Sequence, residues 1–168
     1  MQFVVRVTTG GEVTFGGQIP GYRPIYYGGP PPDSGTWRVD LNWIGDFLSE
    51  RFAQENFGDS VEVFMVGFEL ADLKGWGERF TDMEKYMSYR RTNKWLISVA
   101  QLDWLQVKDL TSIEQFKLFS EASVAAVERI GLMKRKPKMF DYSSCAAKLK
   151  TFFSEASTLD EWRYDGEA

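Results

Sequence analysis

Between Thr111 and Gly131 the chain carries the pattern that most narrows its choice of fold. Ile113, Phe116, Ser120, Val124, Val127 and Ile130 recur at helical spacing, Thr111 with Glu114 three residues on makes a capping box, and Gly131 has the chemistry of a residue just past a helix end. The pattern predicts a helix over roughly 112–130, and a helix of about five turns with one apolar stripe must be covered by other parts of the chain. The remaining segments read as that cover. Phe3, Val5 and Val7 alternate with Val4, Arg6 and Thr8, and Gly10-Gly11 then precedes Glu12 to Phe15, which predicts an N-terminal hairpin. Val61 to Leu70 is apolar on both alternating faces apart from Glu62 and Glu69, as in a strand covered on both sides. Tyr86 to Tyr89 and Trp95 to Leu102 flank a turn at Arg90 to Asn93. Asp40 caps a stripe of Leu41, Ile44, Leu48 and Phe52, giving a helix over about 40–55, and Tyr142, Cys145, Leu149 and Phe152, opened by Asp141 or Ser143, give one over about 142–155. Thr158 to Trp162 reads as one short turn. The expected class is α+β, an antiparallel or mixed sheet of about four to six strands with three main helices mostly on one face.

A chain of 168 residues suits one domain, 1–168, and 43% hydrophobic with 26% charged residues is a globular composition. Chemistry is narrowed further by what is missing. Without a histidine there is no Ser-His-Asp or Cys-His nucleophile and no His-ligated zinc, and with Cys145 alone there is no internal disulfide or multi-cysteine metal site. No cofactor and no metal are expected, and the protein does not read as an enzyme. A net charge of -4 has the wrong sign for a broad phosphate-binding surface, so nucleic acid is disfavoured as a partner. The start lacks the basic and continuous apolar regions of a signal peptide, and no apolar run approaches a membrane span, so the expected compartment is the cytoplasm, away from the membrane.

One region departs from ordinary composition. Residues 16–36 hold six of the glycines and five of the six prolines, with Tyr22, Tyr26 and Tyr27 among them. So long a Gly/Pro/Tyr-rich loop is uncommon in a compact domain and is the first place to look for a binding surface. Tyr22, Arg23, Tyr26, Tyr27 and Asp33 are the expected contact residues there. A second face is offered by Glu114, Glu121 and Glu128, which recur every seven residues along one side of the 112–130 helix. Asp40 to Gly45 begins like a calcium loop but puts Ile44 and Arg51 where oxygen ligands are needed. The glycine pairs at 10–11 and 16–17 lack the Gly-Lys-Ser/Thr of a phosphate loop. Glu62 and Glu69 point to opposite faces of a regular strand and cannot form one carboxylate dyad without a bulge. Tyr86, Tyr89, Arg90, Arg91, Lys94 and Trp95 interleave aromatics with bases as a single-strand platform would, yet a hairpin needs the same arrangement. Lys134 to Lys138 reads as a basic connector complementing a helix C-terminus.

A small acidic α+β domain with an aromatic loop and no assembled chemistry resembles the immunity proteins of bacterial polymorphic-toxin and contact-dependent growth-inhibition systems. The features that carry the likeness are Phe3 to Phe15, the strand Trp95 to Leu102 with its exit Gln101-Leu102-Asp103, and the capped helix Thr111 to Gly131 followed by Phe140-Asp141-Tyr142. The likeness implies a non-catalytic protein that binds a cognate toxin domain, a nuclease among the candidates, and blocks its active site or an exosite. Two other classes stay open at this point: a carbohydrate- or single-strand-binding module, given six tryptophans and seven tyrosines, and a glycosidase-type enzyme working with carboxylates alone.

Overall fold

The computed structural model describes residues 1–9, 38–71, 87–103, 107 and 109–163. These form, in chain order, β1 (Gln2–Thr9), α1 (Leu41–Phe52), β2 (Val63–Ala71), β3 (Met87–Arg90), β4 (Trp95–Asp103), α2 (Ser112–Leu132) and α3 (Tyr142–Ser157). The described sheet is mixed and has the order β1-β2-β4-β3, with β2 parallel to both neighbours and β3 antiparallel to β4 across the turn that follows Arg90. An α+β fold with three helices and a four-stranded sheet matches the class expected above.

Register explains how the layers meet. Phe3 stands opposite Phe64, which stands opposite Leu96, so three buried side chains cross the sheet in one row. The Phe3 ring stacks on Phe64 at 5.5 Å and on Phe52 of α1 at 5.7 Å, while Phe68 meets Phe119 of α2 at 5.4 Å. Both helices therefore cover the same face. Helix α3 is wedged against both: Phe152 meets Phe52 of α1 edge-on at 5.0 Å, and the next residue, Phe153, meets Phe116 of α2 at 5.9 Å. On the other face of the sheet Met65 and Ile97 are also buried, which agrees with a β2 sequence apolar on both sides.

Close approaches fix the rest. Ser49 of α1 accepts from the Phe3 N–H at 2.9 Å and donates to the Phe3 carbonyl at 3.1 Å, so its hydroxyl satisfies both backbone groups that Phe3 turns away from β2. One turn earlier, a Cβ on Gly45 would lie 3.4 Å from the same carbonyl. The described partner of β1 is β2, and the expected hairpin strand at Glu12 to Phe15 lies outside the described residues. Helix α2 runs past Gly131 to Leu132, with Met133 as an extended C-cap. Gly131 is thus inside the helix and serves another purpose than ending it. A Cβ there would come within 2.8 Å of the Tyr142 side chain, so the glycine lets the start of α3 close on the end of α2.

The C-terminal turn carries more weight than its polar sequence implies. Trp162 is fully buried at 0% exposure, its ring lies 4.6 Å from Phe116, its carbonyl accepts from the Asp40 N–H, and Arg163 bridges to Val39. That turn secures the entry to α1. Buried Gln115 does the same for two other segments, accepting from the Arg38 N–H at 3.0 Å and donating to the Val107 carbonyl at 3.3 Å.

Candidate functional site

Helices α2 and α3 touch through Phe116 and Phe153, and beside that contact the small residues Ser120, Ala125, Ser154 and Ser157 line an open space between them. This space is a groove of about 480 Å³. Ile113, Phe116, Val124 and Phe153 supply an apolar floor, and Lys117, Glu121, Glu128 and Lys150 form a charged rim. Lys150 reaches Glu128 at 3.3 Å, an exposed pair that steers geometry more than it stabilises. The stripe read as core on α2 is therefore divided. Val127 and Ile130 are buried in the core, while Ile113, at 37% exposure, opens to the groove.

The glutamate row divides too. Glu121 and Glu128 line the groove, but Glu114 is part of the cap: its N–H donates to Thr111 Oγ1 at 3.3 Å, and that hydroxyl donates to Glu114 Oε1 at 3.1 Å. The groove floor was hidden in the sequence because Phe116, Val124 and Phe153 look like core at either position; only the small residues opposite them give a hint. Tyr22, Arg23, Tyr26, Tyr27 and Asp33 lie outside the described residues.

Near the β3–β4 turn the aromatic and basic run splits by face. Tyr89 is half-buried with its hydroxyl donating to the Ser60 carbonyl, whereas Arg90 and Arg91 are exposed, and Lys94 lies 4.0 Å from Glu62. Tyr86 is outside the described residues. Glu62 is exposed just before β2, and the side chain of Glu69 is not among those described. No group of three or more Cys, Asp or Glu side chains suited to a metal occurs among the described residues. Cys145 is buried against the core, and burial pushes its thiol up to about 12, so it stays protonated.

The family described as Immunity protein 44 (Imm44) matches residues 26–155 of this chain. The chain belongs to the Immunity protein 44 family. The Imm44 match takes in α1, β2, β3, β4, α2 and nearly all of α3, and it begins at Tyr26, so Tyr26, Tyr27 and Asp33 fall inside it while Tyr22 and Arg23 precede it. Membership in Imm44 gives the chain the general role of an immunity protein, and a toxin is the partner that such a role implies. No curated protein and no solved structure matches the chain. No described helix is long and apolar enough to cross a membrane.

Proposed function

We propose that this chain is a non-catalytic immunity protein that binds its cognate toxin, of the polymorphic or contact-dependent kind, and holds it inactive in the cytoplasm by covering the active site or an exosite. The Imm44 match over residues 26–155 carries this reading. A chain without histidine, whose one cysteine is held as a thiol, lacks the commonest neutral-pH base and a thiolate nucleophile, which favours binding alone as its mode of action. Acting as one domain, 1–168, it would use the 16–36 segment as its main contact. Tyr22, Arg23, Tyr26, Tyr27 and Asp33 combine rigid aromatic area with charge, the composition of an interface centre. The rim residues Glu121 and Glu128 with the apolar groove beneath them are the second contact face.

Co-expression tests this reading. Cells carrying the toxin domain encoded next to this chain should grow when the chain is present and arrest without it. Replacing Tyr26 and Tyr27 together by alanine should abolish rescue and weaken binding by about 2 kcal/mol or more, the size of a hot spot, while leaving the melting temperature nearly unchanged. Arrest with the wild-type chain present at equal levels overturns the reading.

A further inference from the structure

Two basic runs far apart in sequence meet in space. Arg91, from the β3–β4 turn, and Lys134, Arg135, Lys136 and Lys138, from the connector between α2 and α3, line one hollow of about 620 Å³ with Ser60, Tyr89 and Pro137. Among the described residues no carboxylate lines it, in a chain whose acids outnumber its bases 24 to 20. Complementing the α2 dipole explains only Lys136, which turns back to donate to the Gly131 carbonyl and lies 5.8 Å from the Tyr142 ring. Arg91, Lys134, Arg135 and Lys138 are exposed and have no ion-pair partner among the described residues. Gathering like charges without a counter-charge works against folding.

The same connector exposes apolar side chains. Leu132 and Met139, at its two ends, are 86% and 87% exposed, the two most exposed large hydrophobics among the described residues. Met139 also has φ +62, a left-handed backbone that disfavours a residue with a long side chain. This unfavourable arrangement is nevertheless held firmly. Pro137 is buried and its carbonyl accepts from the Tyr142 hydroxyl at 2.6 Å, the Asp141 N–H donates to the Phe57 carbonyl at 2.8 Å, and Gly58 lies directly against the Met139 carbonyl. The cations and the two apolar side chains thus stand on a fixed backbone, with little left to order on binding.

We propose that residues 132–139 with Arg91 form a docking surface for an acidic segment of the toxin that also carries apolar side chains; the identity of the partner rests on the immunity reading above. Charge complementarity selects an anionic partner, and the exposed Leu132 and Met139 select a protein over a nucleic acid. Tyr89, the one aromatic ring among the described residues lining the hollow, is tied through its hydroxyl to Ser60 and packs on the core, so it presents no free stacking face. A net charge of -4 repels an extended polyanion, whereas a compact acidic segment within about 10 Å of the patch feels mainly the patch.

The test measures association and dissociation rates against the toxin domain encoded next to this chain, at several salt concentrations. The K134E/R135E/K138E variant should associate about tenfold or more slowly at low salt, and the deficit should shrink as salt rises. Leu132→Ser with Met139→Asn should dissociate about tenfold or more faster, while Met139→Asn alone melts no lower than wild type because asparagine tolerates a left-handed backbone. Wild-type binding with both variants within about twofold of it overturns the docking surface and leaves the immunity reading standing. Failure of the wild type to bind brings both down. Binding of a twelve-nucleotide thymidine strand that is lost in the charge-reversed variant, with toxin rates unchanged, also overturns the proposal.

Discussion

Gly58 has φ +117, and a Cβ placed on it would sit 2.0 Å from the Met139 carbonyl oxygen. Neither problem can be relieved by a side chain turning away, because the obstacle is backbone. Gly58→Ala should therefore cost about 2–4 kcal/mol of stability, read as a lower urea midpoint with an unchanged slope. A midpoint within error of wild type would mean that the two loops do not meet there. The sequence around Gly58 shows a break between α1 and β2, but not that the break docks on the α2–α3 connector, since that contact joins residues remote in the chain. Cys145 gives a second residue-scale prediction. Its thiol is raised to about 12, chiefly by burial and then by the Asp141 charge, so in the native protein it should resist thiol reagents at pH 8 and react once unfolded. The linkage has a definite sign. Above the ordinary thiol pKa the unfolded chain ionises and the folded one does not, so this group removes stability as pH rises from about 8.5 toward 12. A Cys145→Ala variant should lose that part of the alkaline slope.

At the scale of elements, the helices were legible because their signals are local. Thr111 with Glu114 and the caps Asp40 and Asp141 all bond as their side-chain chemistry predicts: Asp40 Oδ1 accepts from the Trp43 N–H at 3.1 Å, and Asp141 accepts from the Ser144 N–H at 3.0 Å and its hydroxyl at 2.8 Å. Those bonds to Ser144 hold the Asp141 carboxyl below its usual range. A carboxyl depressed in the folded state contributes stability above its unfolded pKa, and that contribution disappears as pH falls through the folded value. Acid titration followed by α3 helicity should show wild type losing stability below about pH 4, relative to an Asp141→Asn variant that lacks this dependence. Parallel curves would contradict the capping role. Strand pairing was less legible. Alternation of apolar residues marks β1 and β2 as strands but is the same for parallel and antiparallel neighbours, so the parallel pairing of β2 with both β1 and β4 left no mark in the sequence. Gly131 was misread for a related reason: a glycine near a helix end has the same letter whether it ends the helix or admits Tyr142 against it.

For the whole molecule, the sheet and three helices bury a continuous aromatic core, and what remains on the described surface is unevenly distributed. An apolar groove with a mixed-charge rim lies along α2 and α3, and a cationic hollow flanked by Leu132 and Met139 lies at their connector. Sequence patterns separated aromatics from charges within each segment, but could not show that Arg91 and Lys134 to Lys138 share one hollow, because convergence of distant segments is a property of the tertiary fold. Nor did they distinguish Ile113 as groove from Val127 as core, since both fall on one helical stripe. The proposed mode of action of this Imm44 chain is stoichiometric binding to a toxin. Isothermal titration of the purified chain into the catalytically inactivated toxin domain encoded next to it measures that binding. One-to-one saturation with a Kd of about 10 nM or tighter is predicted, corresponding to about -11 kcal/mol. Absence of heat and of any comigrating complex on a sizing column at micromolar concentrations would contradict it.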